Sequence, residues 1–222
     1  MTVSQFVRLI SAYPEPVVLL EGRREISDDM AAAARRFACL LAARLPQLKF
    51  RSGNASGSDE AFARGVADCD PSRMELIVPY KGHRRAGREG VRSFSADDLS
   101  FEQRAIVAEA TYAASPRSHG LMQARSPRLQ AKASYLLRDT LKVLGHGGGL
   151  APPAAGFFYV DPEDAMAGGT GHTIRVCQQL AVPVILQKDW LEWMPDLESG
   201  EWPVVARSYP RPKNRVQVDA GG

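Results

Sequence analysis

Apolar and polar positions change period several times along this chain, and each change predicts an element. PVVLLEG (16–22) is a short apolar run closed by Gly, the pattern of a strand buried on both faces of a parallel sheet. From Ser27 the period lengthens: Met30, Ala33, Phe37, Leu40, Leu41 and Leu45 recur at helical spacing. Ser27 is placed to cap this helix, Asp28 and Asp29 occupy its first turn, and Pro46 stops it. LKFRS (48–52) predicts a second strand. A loop rich in Gly and Ser follows and leads into a helix carrying Phe62, Val66 and Cys69 on one face, and MELIVPY (74–80) predicts a third strand.

The rhythm then breaks. KGHRRAGREGVR (81–92) sets Lys81, Arg84, Arg85, Arg88 and Arg92 against Glu89 and reads as a flexible basic loop. Two helical patterns come next, over 100–114 and over Pro127–Leu144, the second through Leu129, Ala133, Leu136, Leu137 and Leu141, and GHGGGLAPPAAG ends it with turn chemistry. GFFYVD (156–161) and AVPVILQ (181–187) predict two more strands with GGTGHTIRVCQQL between them. Strands alternating with helices define an α/β class with a doubly wound, mostly parallel sheet and helices on both faces. The expected organisation is one domain over 1–195, with a helical and basic insertion at about 81–150, and a Pro-rich, polar C-terminal arm over 196–222.

Composition narrows the class of protein. The chain has 222 residues, 45% apolar and 24% charged, ordinary values for one large globular domain. Cys39, Cys69 and Cys177 form no C-x-x-C spacing, so neither a disulfide nor a zinc site is expected, and a reducing, cytoplasmic setting is. No apolar run approaches the roughly 20 residues a bilayer span needs, and no secretory leader is expected. A net charge of +3 is too small to imply nucleic acid by itself.

Ligands of doubly wound sheets settle outside the carboxyl ends of the strands, where strand order reverses. That rule gathers the Gly22–Arg23 corner, the 53–60 loop, the basic loop and GGTGHT (168–173) on one edge. GGTGHT is the best anion site: Gly168, Gly169 and Gly171 let the backbone approach a phosphate, Thr170 and Thr173 add hydroxyls, and the following helix aims free N–H groups at it. The 51–65 stretch, RSGNASGSDEAFARG, differs, because Asp59 and Glu60 repel a phosphate. They fit a helix N-terminus, Ser56 and Asp59 having capping-box spacing, or they accept ribose hydroxyls or act as acid and base. The arginines of 81–92 either form a solvated charge run, close over a phosphate or touch a nucleic acid backbone. Glu21 and Arg23 either pair or face the ligand. His172 sits inside the glycine loop. His83, His119 and His146 have no metal-ligand spacing, so no metal is expected, and no cofactor is assigned. Neither a G-x-S-x-G elbow nor a G-x-x-x-x-G-K-[ST] loop is present.

SGNASGSDEAF (52–62) resembles the SG-x-A-x-G-x-D-x-x-A element of the SLOG superfamily of Rossmann-like proteins, which takes in the DprA/Smf DNA-processing proteins, the LOG phosphoribohydrolases and YspA/YpsA-type proteins. GGTGHT resembles that superfamily's second glycine-rich element, and VVLLEGRREI resembles the strand-Gly-Arg opening of YspA-like members. The resemblance, over about 15–187, implies a Rossmann-like domain that binds a nucleotide or nucleotide-derived ligand between two glycine loops, as a sensor or binding module. Its positions would be Gly22, Arg23, Ser52, Gly53, Gly57, Asp59, Gly168, Gly169, Thr170, Gly171 and Thr173. The alternative it implies is LOG-like hydrolysis of an N-glycosidic bond in a nucleoside monophosphate-like substrate. The LOG pattern PGG-x-GT-x-x-E is altered here: Ala167 stands for Pro, His172 displaces the Thr, and Ile174 and Arg175 occupy the region of the Glu. A hydrolase would therefore take its carboxylate from Asp59, Glu60 or Glu21. DprA-like DNA binding is a further alternative, and homo-oligomers are the general expectation for such domains.

Overall fold

The computed structural model describes residues 1–83, 90–146 and 149–201. Six parallel strands form one sheet: β1 (Val17–Gly22), β2 (Lys49–Ser52), β3 (Met74–Val78), β4 (Arg92–Ser95), β5 (Ala155–Tyr159) and β6 (Val184–Leu186), in the order β4-β3-β2-β1-β5-β6. Strand order reverses at β1, which pairs with β2 through Val18↔Phe50 and with β5 through Leu20↔Phe157. The crossovers from β1 to β2, β2 to β3, β4 to β5 and β5 to β6 carry helices, as parallel pairing favours. This is a doubly wound, Rossmann-like α/β fold.

Alternation along the strands sorts their side chains into two layers. Val18 and Leu20 of β1, Phe50 of β2 and Phe157 of β5 enter the larger core, with Phe37 and Leu41 of α2 (Asp28–Arg44) and Phe62 and Val66 of α3 (Ser58–Ala67). Helix α1 (Val3–Ile10) joins that layer; Phe6 packs edge-on to Phe157 at 5.2 Å. So do α8 (Gln187–Glu192) and α9 (Met194–Ser199), through Trp190 and Leu197. Leu19 and Phe158 face the opposite side, where α7 (Gly168–Gln179) supplies Ile174, Val176 and Cys177. There α6 (Pro127–Leu144) and α4 (Phe101–Ala114) cover the β3 half with Leu137, Leu141 and Val107. A short helix, α5 (His119–Met122), links α4 to α6.

Several details depart from the sequence pattern. The basic 81–92 stretch ends in strand β4, a polar edge strand of four residues whose pattern is too short to read. Its ends are paired: Lys81 Nζ lies 2.6 Å from Asp98, and Arg92 stacks over Phe94 and lies 3.8 Å from Glu75. Arg84, Arg85, Arg88 and Glu89 lie outside the described residues, as do residues 202–222 of the expected arm; α9 carries helix past 195 to Ser199. The 168–173 stretch is the opening of α7 itself, because Gly171 N–H already donates to the Ala167 carbonyl. The Ser56–Asp59 capping box does not form. Gly57 is the N-cap, and Asp59, inside the first turn, points back towards β1.

Candidate functional site

The carboxyl end of β1 is flanked on one side by the β2–α3 loop and on the other by the start of α7. Helix α6 packs behind both, with Arg138 and Lys142 reaching the Gly53 carbonyl and Glu21. Glu21 breaks the apolar run of β1 on the face of Leu19, so alternation drives a carboxylate under α6 and α7, where it is 5% exposed. Lys142 Nζ donates to Glu21 Oε2 at 2.5 Å and lies 2.9 Å from Asp139 Oδ1. Thr173 Oγ1 donates to Glu21 Oε1 at 2.9 Å and also lies 3.2 Å from the Gly169 carbonyl. A hydroxyl has one proton, so Thr173 serves one of these acceptors at a time.

The two glycine elements are joined by adjacent side chains of α6. Arg138 Nη1 donates to the Gly53 carbonyl at 2.6 Å, and a Cβ on Gly53 would stand 1.8 Å from that nitrogen. Asp139 reaches the other way: a Cβ on Gly169 would stand 3.0 Å from its Oδ2. Between them, Arg138 Nε and Asp139 Oδ1 are 3.0 Å apart, in ion-pair contact without hydrogen-bond alignment.

Burial and neighbouring charges together set how Glu21, Asp139 and Lys142 titrate. Glu21, Asp59 and Asp139 share the cluster with two cations, Arg138 and Lys142, so one carboxyl has no matching charge. Burial pushes Glu21 up to about 7 against the pull of Lys142, with Asp139 and Asp59 adding to the rise. Burial also opposes ionisation of Asp139, but Arg138 and Lys142 together hold it below its ordinary value. Lys142 is correspondingly raised, the two carboxylates outweighing its desolvation. Among these groups Glu21 is the carboxyl whose titration is pushed up towards neutrality.

Asp59 is 2% exposed and accepts Gly22 N–H at 3.1 Å and Ala55 N–H at 3.3 Å, tying the loop to the end of β1. Glu60 faces solvent and pairs with Arg64 one turn on, so the two acids that are neighbours in sequence are separated in space. Gly22 is pressed against Ser58, whose Oγ donates to the Arg23 carbonyl at 2.7 Å. Arg23 spans from β1 to Asp161 beyond β5 at 2.7 Å. Ser52 is buried at the end of β2. Gly57 is shaped by packing, its φ of +84° placing it against the Arg24 carbonyl. Gly171 is likewise pressed on Met166, whereas Gly168 and Gly169 are exposed, Thr170 is half-buried, and Ala167 gives α7 no side-chain cap.

His172 points into the interior. Its Nε2 is 2.9 Å from Thr140 Oγ1, which is 2.7 Å from Thr111 Oγ1, and burial lowers the imidazole to about 4. Arg175, in the region of the resembled pattern's Glu, donates to the Ala114 and Met166 carbonyls and anchors α7. Arg138, Asp139 and Lys142 were not legible as site residues. RDTLK looks like the polar face of an amphipathic helix, and the available signal is that Arg138 and Lys142 are one turn apart and so share a face. A neighbouring pair, Arg51 and Glu75, extends the buried polar layer across β2 and β3 at 2.7 Å, with Arg51 Nη1 donating to the Lys142 and Ala151 carbonyls.

Among the described residues there is no group of three or more His, Cys, Asp or Glu side chains that could hold a metal, and no helix is long and apolar enough to cross a membrane. The fold and the placement of the cluster define the class: a Rossmann-like α/β protein with a buried charged cluster at its topological switch point. No protein-family model and no curated protein matches the chain.

Proposed function

We propose that this chain binds a nucleotide or nucleotide-derived ligand in the crevice between the β2–α3 loop and the start of α7, as a sensor or ligand-binding module of the SLOG type. The observation that carries the reading is the contrast at α7: Gly168 and Gly169 are exposed and the helix lacks a side-chain cap, directly beside a buried cluster of two cations and three acids at the switch point. Bare backbone amides at a helix N-terminus suit a phosphate, and the half-buried Asn54–Gly57 segment faces the same edge for the sugar. Two neighbouring residues of α6 touch both loops, so occupancy of one is communicated to the other through Arg138 and Asp139.

The test is a thermal-shift panel of nucleoside mono-, di- and triphosphates, NAD, ADP-ribose and cyclic nucleotides. A ligand at 100 times its Kd raises stability by about 2.7 kcal/mol. The shift should vanish in Gly169→Asp, which adds a carboxylate beside Asp139. A panel with no hit, or a hit indifferent to that substitution, defeats the proposal.

One observation favours a second reading, hydrolysis of an N-glycosidic bond. Glu21 is a carboxyl raised to about 7, the range a general acid needs, while Asp59 is committed to two amides and Glu60 faces away. Base release from the ligand found above, abolished in Glu21→Gln with binding retained, would distinguish an enzyme from a sensor.

A further inference from the structure

Spacing in sequence gives Cys39 and Cys69 nothing in common, yet the fold brings them together. Their sulfurs are 3.5 Å apart although the residues are 30 positions apart, Cys39 on α2 and Cys69 just beyond α3. The approach is set by the packing on either side. Gly65 lets α3 lie so close to α2 that a Cβ there would stand 2.0 Å from the Arg35 carbonyl. Arg35 in turn grips Asp68, the residue before Cys69, through two hydrogen bonds of 2.7 and 2.8 Å. Two thiols are thus held at van der Waals contact by a rigid junction. They are also accessible: Cys69 is exposed, and Cys39 lines an open groove of about 310 Å³ with Arg35, Arg36, Leu40 and Asp68. Cys177, on α7, is buried and serves as an internal control.

We infer that Cys39 and Cys69 form a thiol–disulfide exchange site, oxidised by small-molecule disulfides to a bond that ties α2 to the end of α3. The exposed Cys69 attacks first. Its thiolate displaces one half of the small disulfide as a thiolate, which takes up the proton Cys69 gave to solvent, and leaves a mixed disulfide on Cys69. Cys39 then loses its proton and attacks Cys69 Sγ, expelling the second half as a thiol. One disulfide and two protein thiols become one protein disulfide and two small thiols, so atoms and electrons balance. Burial and the neighbouring sulfur raise the Cys39 thiol, which suits it to the resolving step, where proximity replaces intrinsic reactivity. The junction lies at the far end of α3 from Asp59, so the bond clamps the helix pair without entering the crevice.

The experiment treats the full chain with oxidised glutathione and follows intact mass, peptide maps and thermal midpoint. Expected are a loss of two hydrogens, a Cys39–Cys69 linked peptide, an unmodified Cys177 and a midpoint raised by several degrees, reversed by dithiothreitol. Cys39→Ser should halt at a stable glutathione adduct on Cys69, and Cys69→Ser should yield no protein disulfide. A native chain that stops at the mixed disulfide, links either cysteine to another chain instead, or stays unmodified overturns the inference. Because both single variants leave the core intact and the adduct on Cys39→Ser is itself diagnostic, a folding defect does not imitate either result.

Discussion

The two glycine elements look alike as strings of letters and behave differently in the fold. In the β2–α3 loop the glycines are consumed by packing: Gly53 lies under Arg138, Gly57 lies against the Arg24 carbonyl, and Asp59 has both oxygens on backbone amides. At the start of α7 the first two glycines touch little, and the helix end is left bare. Glycine is permissive in both places, but in one it permits close contact within the chain and in the other it leaves room for something else. The lesson is that a glycine-rich loop marks a site only where its backbone stays uncovered.

The comparison breaks most severely if the cluster joining the loops is cut. Lys142→Met removes the cation in contact with Glu21, leaves Asp139 to Arg138, and should cost about 3–5 kcal/mol, read as a lower midpoint in urea unfolding. Next comes Gly57→Ala. At φ +84° and ψ −123°, with a carbonyl 2.1 Å from the new Cβ, strain and collision should together cost about 2–4 kcal/mol. Gly168→Ala is the matched control: its φ is +60° but nothing lies within 4 Å, so only backbone strain remains and the same measurement should show about 1–2 kcal/mol. If the two alanines cost the same, the distinction between packed and open glycines fails. Under the proposed function Gly168→Ala should nevertheless suppress the nucleotide-induced thermal shift.

The smallest effect concerns pH. Glu21 is raised from 4.5 to about 7 in the folded chain, so its contribution is fully present below pH 4.5 and is lost as pH rises through 7. His172 is lowered from 6.5 to about 4, so its contribution is present above pH 6.5 and is lost as pH falls through 4. Between pH 4.5 and 6.5 the two slopes oppose each other. Glu21→Gln removes one of them, and its thermal midpoint relative to the native chain should fall on acidification across that window. A difference that is constant with pH would show that Glu21 is not the proton carrier of the cluster.

Much of the frame is legible in the sequence because it depends on local rules. The short apolar runs of β1 and β3, the Ser27 cap of α2, and the Pro127–Leu144 span of α6 follow from strand burial on both faces of a parallel sheet, capping and the helix period, and the structure has them where those rules place them. Edge strand β4 and the junction of β6 with α8 were not legible, since four half-exposed residues carry no period and Gln187 continues an apolar run into a helix without a break.

The site divides along the same line. By itself the sequence determined the parallel α/β frame, the edge on which the loops gather, and the glycines that make close backbone approach achievable. Only the tertiary structure decided which glycines remain uncovered, that burial pushes Glu21 up towards neutrality, and that Arg138, Asp139 and Lys142 belong to the cluster beside them. Helix periodicity orients a side chain relative to its own axis, but whether a polar face meets water or a second layer depends on what packs against it. In α6 every residue from Leu137 to Val143 is buried, because the sheet, α4 and α7 enclose that half of the helix. Charges that a lone helix would give to solvent must then find one another, and that enclosure is a property of the assembled fold.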